Sequence, residues 1–300
     1  VYKRQIIKRI NPDMVLVHGD TATTFSGSLA AFYNQVPIGH VEAGLRSFDK
    51  YSPYPEEMNR QMVGVLSDIH FAPTSNAKKH LLDEGKKETT VVVTGNTAID
   101  ALNYTVNDDY QSEILEKHKN KKILLLTAHR RENLGEPMEN IFKAVRKLVE
   151  EDKALVVVYP VHMNPKVRNI AQEILGNHER IELIEPLDVL DFHNFAKQAY
   201  IILTDSGGIQ EEAPSLHKPV LVLRDNTERP EGVDAGTLKV VGTSLDNVYK
   251  ETKQLLEDQQ AYQCMCNAKN PYGDGKSSER IVNHIKYYFN LTKEKPTDFN

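Results

Sequence analysis

Residues 203–213, Leu-Thr-Asp-Ser-Gly-Gly-Ile-Gln-Glu-Glu-Ala, carry the densest set of chemical groups in the chain. Tyr200-Ile201-Ile202-Leu203-Thr204 is a short apolar run that reads as a buried strand. Asp205-Ser206-Gly207-Gly208 is a sharp turn, and a helix can start at Ile209. A strand, a small-residue turn and a helix start aim several free N–H groups at one point. That is an anion site, and a diphosphate is its commonest occupant in α/β proteins. Gly207 and Gly208 let the backbone come close to a ligand. Glu211 or Glu212, one turn into the helix, can hold sugar hydroxyls. The plainer reading is a strand–helix turn with a Ser206 N-cap, and the turn alone does not decide between the two.

Other polar clusters also follow apolar runs. They are His18-Gly19-Asp20-Thr21, Glu42-Ala43-Gly44-Leu45-Arg46, His129-Arg130-Arg131-Glu132-Asn133 and Pro160-Val161-His162. Tyr54-Pro55-Glu56-Glu57-Met58-Asn59-Arg60 opens a helix. A loop after the apolar run at Val220 holds Arg224 and Arg229, and Arg229 can grip phosphate bidentately; Thr227 and Glu228 beside it can bind a ribose. Each cluster has a plainer reading: Asp20 as a helix cap, Glu42 and Arg46 as an i,i+4 surface pair, Glu56 and Glu57 as first-turn carboxylates suiting the helix dipole, His129 as a packed histidine, Arg130-Arg131 as a solvated pair. Together they place the carboxylates Asp20, Glu42 and Glu56 in one half of the chain and two histidines, arginines and a phosphate turn in the other.

The elements that must position these groups alternate. Short apolar strands at 14–17, 36–41, 69–71 and 90–93 are separated by helices at 24–34, 56–66 and 77–84. A second series, with strands at 123–127, 155–159, 181–184, 201–204 and 220–223, alternates with helices at 138–151, 165–175, 189–197 and 209–216. This is the pattern of parallel α/β folding, with each strand covered on both faces. Residues 103–120 are polar and strand-poor and read as the connection. The reading is two Rossmann-like domains facing a cleft. Residues 1–106 form a partial N-terminal domain and 107–275 a C-terminal one. Residues 276–300 are a helix and tail crossing back to the first. Ligands in such sheets bind at the carboxyl ends of strands, where most of these clusters fall.

Composition narrows the function. A chain of 300 residues with 40% hydrophobic content suits two packed domains. Its net charge of −5, without a basic block, argues against nucleic acid. No apolar run reaches membrane-span length, and the opening Val1-Tyr2-Lys3-Arg4-Gln5 shows no signal-peptide core. Cys264 and Cys266, two apart in a helical stretch, point to different sides and suit a reducing cytoplasm. No His-x-x-x-His or paired Cys indicates a metal. No Gly-x-Gly-x-x-Gly follows a strand, and Ser206 lacks a nucleophile elbow.

The ordered set of motifs resembles the non-hydrolysing UDP-N-acetylglucosamine 2-epimerases. The matching pieces are His18-Gly19-Asp20, His40–Arg46, Pro55–Arg60, Thr94-Gly95-Asn96-Thr97, His129–Asn133, Tyr159–His162, Thr204–Glu212, Asp225–Pro230 and Asn270–Gly275. The resemblance runs from about Asn11 to about Tyr287 and implies the GT-B architecture. It also implies interconversion of UDP-GlcNAc and UDP-ManNAc, with no metal or nicotinamide cofactor, for cell-envelope polysaccharide synthesis. By resemblance, Asp20, Glu42, Glu56 and His129 carry over as the catalytic set. Arg130, His162, Phe192, Ser206, Gly207, Gly208, Glu212 and Arg229 carry over as substrate contacts, with Phe192 beside the uracil. Leu187 stands where some members have Gln. The family opens with a strand and a Gly-Thr-Arg-Pro-Glu loop that this sequence does not contain, so the first domain is expected to be incomplete at its N-terminus. A homodimer, and a second UDP-GlcNAc as activator, are further implications.

The implied chemistry fits these residue types. The C2 proton of the sugar is not acidic until the C1–O bond to UDP loosens. A carboxylate then completes an elimination to 2-acetamidoglucal and UDP, and re-addition from the other face gives the epimer. Acid/base groups are needed on both faces, and UDP must be stabilised as a leaving group. A UDP-sugar-dependent GT-B glycosyltransferase, a hydrolysing epimerase and a nucleotide-sugar sensor without turnover remain alternatives on sequence.

Overall fold

The computed structural model describes residues 2–299; Val1 and Asn300, the ends of the opening pentapeptide and of the tail, lie outside the described residues. The chain divides into two compact units, Val1–Asp100 with Tyr272–Asn300, and Ala101–Pro271. The first division falls between Asp100 and Ala101, inside the helix Thr97–Thr105 and just before residues 103–120, the stretch that reads as a polar connection. That stretch is not irregular, since a second short helix, Glu113–Lys117, follows.

The first unit holds a four-stranded sheet of β1 (Val15–His18), β2 (Ile38–Val41), β3 (Ile69–Ala72) and β4 (Val91–Val93), in that order and all parallel. The expected start of β2 at Val36 moves to Ile38. Pro37 has no N–H for a ladder, and the Val36 N–H instead donates to Ala31 O at the end of the preceding helix. The helix after β1 starts at Ala22, earlier than the sequence reads, because Thr21 rather than Asp20 caps it through Thr24 N. Helix Ser277–Tyr288 belongs to this unit. The Asp100 carboxylate accepts the N–H groups of Ser277 and Ser278 at 2.9 and 2.6 Å, and Ile281 packs against Phe71 and Val92.

The second unit holds β5 (Lys122–Thr127), β6 (Leu155–Pro160), β7 (Ile181–Ile184), β8 (Ile201–Thr204), β9 (Val220–Val222) and β10 (Leu238–Val240). They lie in the order β10-β9-β8-β5-β6-β7, all parallel. Leu124, Leu125 and Leu126 are fully buried, and each such side chain contributes about 1.5–3 kcal/mol by leaving water. Helix Glu136–Glu151 turns Met138, Ile141, Phe142, Val145, Leu148 and Val149 onto the sheet at helical spacing. β10 is not apparent in the sequence: it is three residues long and its centre, Lys239, is exposed. The expected helix at 209–216 is an α-helix over Gly207–Glu212 followed by a 3-10 turn over Ala213–Leu216. Pro214 sits inside that turn and lacks the N–H that an α-helix would use.

Strand order reverses between β5 and β8. From β5 the sheet grows through β6 to β7, and from β8 it grows the other way through β9 to β10. Loops leaving such a neighbouring pair part to opposite sides and open a crevice at the carboxyl ends. His129 follows β5 and Ser206 follows β8, so topology alone brings these two sequence clusters together.

Glycine at 44 is a constraint of the first unit. Its φ is +91°, and an added Cβ would lie 2.2 Å from the Ala77 carbonyl oxygen. Gly85 shares the left-handed conformation, at +81°, with open space around it. Gly44→Ala is expected to destabilise by about 3 kcal/mol or more and Gly85→Ala by about 1 kcal/mol. Equal losses in urea unfolding would show that the Ala77 contact does not matter.

Candidate functional site

The second unit builds its site around a buried carboxylate. Asp205, directly after β8, is fully buried. Its Oδ2 accepts the backbone N–H groups of His129 and Arg130, each at 2.8 Å, and the Asn133 side-chain amide at 3.0 Å. Asn133 also donates to Leu223 O at 3.2 Å, which ties in the end of β9. The His129 ring stacks parallel to His162, with centroids 5.4 Å apart. His162 is exposed, and its Nδ1 accepts the Asn164 N–H at 3.1 Å. His129 is therefore not a histidine packed in a core: its side chain is 40% exposed.

The glycine turn lies under two guanidinium groups. A Cβ added at Gly207 would stand 3.6 Å from one Arg229 nitrogen and 3.9 Å from one of Arg130. The Ser206 N–H donates to Thr204 Oγ1 at 3.0 Å, and Ser206 takes the N-cap position of the helix Gly207–Glu212, with extended backbone but no capping bond from its side chain. Ser206 Oγ and the Gly207 and Gly208 amides stand at the start of the helix Gly207–Glu212. Gln210 clasps the turn to the arginine loop: its amide donates to Ser206 O at 3.1 Å, and its oxygen accepts from Thr227 Oγ1 at 2.6 Å. Thr227 Oγ1 in turn accepts the Arg229 N–H at 3.1 Å.

The glutamates divide their roles. Glu211 is buried and ion-paired to Arg229 Nε. Glu212 is half-buried and faces His193 Nε2 at 3.3 Å, and His193 Nδ1 lies 2.7 Å from Thr105 Oγ1. Phe192 meets the His193 ring edge-on at 6.3 Å. Glu228 holds Arg224 bidentately at 3.1 and 3.2 Å, with Arg130 at 3.8 Å. Partial burial works to raise the Glu228 carboxyl, but the bonds from Arg224 and then the charges of Arg130 and Arg229 hold it below its ordinary range. Arg130 thus sits among Glu132, Glu228 and Gly207, and is not a freely solvated residue.

In the first unit, Asp20 accepts from Arg60 at 2.7 Å, and Arg60 also lies 3.5 Å from the buried Glu57. This replaces the reading of Asp20 as a cap. Burial pushes Glu57 upward, yet bonds from the Ser47 N–H and Gln61 with the Arg60 charge hold it below the usual carboxylate range. Glu42 has φ +65°, an uncommon conformation for a non-glycine residue. Its Oε2 stands 3.5 Å from His18 Nε2 and 3.2 Å from the point where a Gly19 Cβ would be. Glu42 does not pair with Arg46, whose buried side chain binds Glu84 at 2.5 and 2.9 Å. Glu56 opens the helix Glu56–Leu66, half-buried. His40 Nε2 lies 2.8 Å from Gly19 O and so supports the turn that carries Asp20.

Asp205, Arg60 and Glu57 are the functional candidates that residue typing passed over, and Glu211, read from sequence as a holder of sugar hydroxyls, instead pairs with Arg229. A signal existed for Asp205, a carboxylate between an apolar strand and a glycine turn. Among the described residues, no three His, Cys, Asp or Glu side chains are grouped to hold a metal, and no helix is long and apolar enough to cross a membrane.

Residues 3–286 match the family model described as UDP-N-acetylglucosamine 2-epimerase. The chain is 61% identical over 295 residues to the UDP-N-acetylglucosamine 2-epimerase of Bacillus subtilis, covering 98% of this chain and 78% of that protein. Its fold is similar to that of the S. aureus MnaA–UDP co-structure, with TM-score 0.96, 70% identity, and coverage of 100% of this chain and 82% of that one. It is also similar to the Neisseria meningitidis UDP-GlcNAc 2-epimerase bound to UDP-GlcNAc, with TM-score 0.85, 47% identity, and coverage of 95% and 79%.

His40 and His70 are directly opposed on β2 and β3, and both are buried. Burial lowers His40 to about 4 and His70 to about 3. The unfolded chain therefore binds more protons than the folded one below pH of about 6.5. Stability is full above that value and falls as pH drops toward 4, by about 1.4 kcal/mol per pH unit for each histidine. Urea unfolding of His70→Gln between pH 6 and 4.5 is expected to lose about half of that histidine-dependent slope; an unchanged slope would show that His70 does not titrate on unfolding.

Proposed function

The chain belongs to the family of UDP-N-acetylglucosamine 2-epimerases, and we propose that it interconverts UDP-GlcNAc and UDP-ManNAc by eliminating and re-adding UDP. The observation that carries this is the position of Gly207 beneath Arg229 and Arg130, at the switch point of the six-stranded sheet. Two guanidinium groups over a glycine-lined backbone suit a diphosphate.

In this reading the β-phosphate oxygen leaves C1 toward Ser206, Gly207, Gly208, Arg130 and Arg229. His129 donates to the departing phosphate. Its neighbour His162 and the Phe192–His193–Glu212 chain hold the nucleoside, Glu212 on the ribose and Phe192 beside the base. Asp20, Glu42 and Glu56 supply the acid/base groups at C2. One takes the C2 proton as the C1–O bond breaks, giving 2-acetamidoglucal and UDP. A proton is then delivered to the opposite face of C2 as the phosphate oxygen re-forms its bond to C1. The Asp20–Arg60 pair and the left-handed backbone of Glu42 support functional roles for these carboxylates, since such conformations cluster at sites where geometry is imposed. Retaining the glycal calls for closure around it.

The proposal includes a cytoplasmic setting, which the free thiols of Cys264 and Cys266 suit. It includes a homodimer and a second UDP-GlcNAc acting as activator, both carried over from the family.

The test is turnover of UDP-GlcNAc in D2O, read by NMR. Each molecule of UDP-ManNAc is expected to carry one solvent deuteron at C2. Asp20→Asn should lower kcat by about 10²-fold or more while UDP binding stays near the parent value. Product without deuterium would contradict the mechanism.

A further inference from the structure

Two histidines stack at the carboxyl ends of β5 and β6, and their surroundings differ. His162 Nδ1 accepts the Asn164 N–H at 3.1 Å, a geometry that places the ring's hydrogen on Nε2. His129 has no amide of that kind. Its Nδ1 points at Asp205 Oδ1, 3.4 Å away. That oxygen is buried and makes no hydrogen bond among the described residues, while its partner Oδ2 accepts three. A fully buried carboxylate oxygen without a donor is expensive, and the imidazole is the donor placed to satisfy it. The charged and titratable groups around the His129 ring are Asp205 after β8, His162 after β6, and Arg130 next in sequence.

We propose that Asp205 is a positioning residue for the reaction: it holds His129 as the Nδ1–H tautomer with Nε2 free to act, and selects it over the stacked His162 as the ring that carries the proton. The same carboxylate fixes the ring's main chain, since the His129 and Arg130 amides end on Oδ2. One buried charge therefore sets the place of His129, its tautomer and its readiness to hold positive charge as UDP departs. Ring charge beside a second, neutral imidazole avoids the repulsion that two protonated rings at 5.4 Å would suffer. The inference rests on the reading above that His129 faces the leaving phosphate.

The test joins kinetics with nitrogen NMR of the full chain labelled with 15N-histidine, the His129 signals being assigned from His129→Asn. In the parent protein His129 is expected as the Nδ1–H tautomer when neutral. Asp205→Asn keeps an oxygen for the three N–H groups and turns an NH2 toward the ring. It should lower the ring's titration by roughly one pH unit. It should also cut kcat by about 10²-fold or more with KM within a few-fold of the parent, and move the alkaline limb of kcat to lower pH together with the ring. A purely structural role for Asp205 would lower thermal stability and UDP affinity without moving that limb. An Nε2–H tautomer in the parent protein would overturn the proposal. So would an unchanged ring titration and pH profile in folded Asp205→Asn. If the variant does not fold, the parent spectrum decides alone. If the parent chain does not turn over UDP-GlcNAc at all, the epimerase reading fails while the tautomer remains measurable.

Discussion

A carboxylate with no access to water must find its hydrogen-bond donors within the protein, and Asp205 finds them on a neighbouring strand's loop. The His129 and Arg130 amides and the Asn133 side chain converge on one oxygen. Asn133 extends the link to Leu223. The ends of β5, β8 and β9 are thereby locked together at the point where the sheet reverses direction. The glycine turn begins at the next residue, so its geometry is set from behind by the same charge. Tyr159, donating to Ala128 O at 2.6 Å, braces the β5 end from the β6 side. Burying a charge in this way is costly unless every partner is present, which couples the integrity of the loop to that of the site.

The cationic side of the site is balanced before any ligand arrives. Arg229 is paired with buried Glu211, and Arg224 and Arg130 face Glu228 and Glu132. The two kinds of pair differ in consequence. Glu211 is buried and serves to orient Arg229, while Glu228 and Glu132 are exposed enough to yield. An incoming diphosphate would take over the outer donors of Arg130 and Arg229 and leave the Arg229–Glu211 contact in place. The ion pairs hold the arginine side chains in place, which lowers the ordering cost of binding. The first unit follows the same logic with opposite emphasis, since Arg60 bridges Asp20 and Glu57 and holds an acid/base candidate in a fixed position.

Much of this was legible in the residues. Alternating apolar runs and helical periods announce the parallel α/β units, and clusters at strand ends announce where chemistry sits. The glycine turn and the arginine loop were visible as separate pieces. Their meeting was not, because Gly207 and Arg130 are joined through a strand order that single-sequence periodicity does not encode. Asp205 and its partners are 72 to 76 positions apart, and Arg46 finds Glu84 rather than its near neighbour Glu42. The division of labour between Glu211 and Glu212 is set by the fold and not by residue type, since adjacent helix residues differ by about 100° in direction. β10 escaped because three residues with an exposed centre carry no pattern. The family resemblance supplied roles for residues that chemistry alone left open, such as Phe192, and it did not point to Asp205.

The central claim is that the Ser206–Gly208 turn, with Arg130 and Arg229, grips a diphosphate. Calorimetric titration of the chain with UDP and with UMP at fixed ionic strength tests it most directly. Each charge-assisted hydrogen bond lost with the terminal phosphate is worth about 1.5–3 kcal/mol, so UDP should bind at least about tenfold more tightly than UMP. Equal affinity for the two would contradict the account.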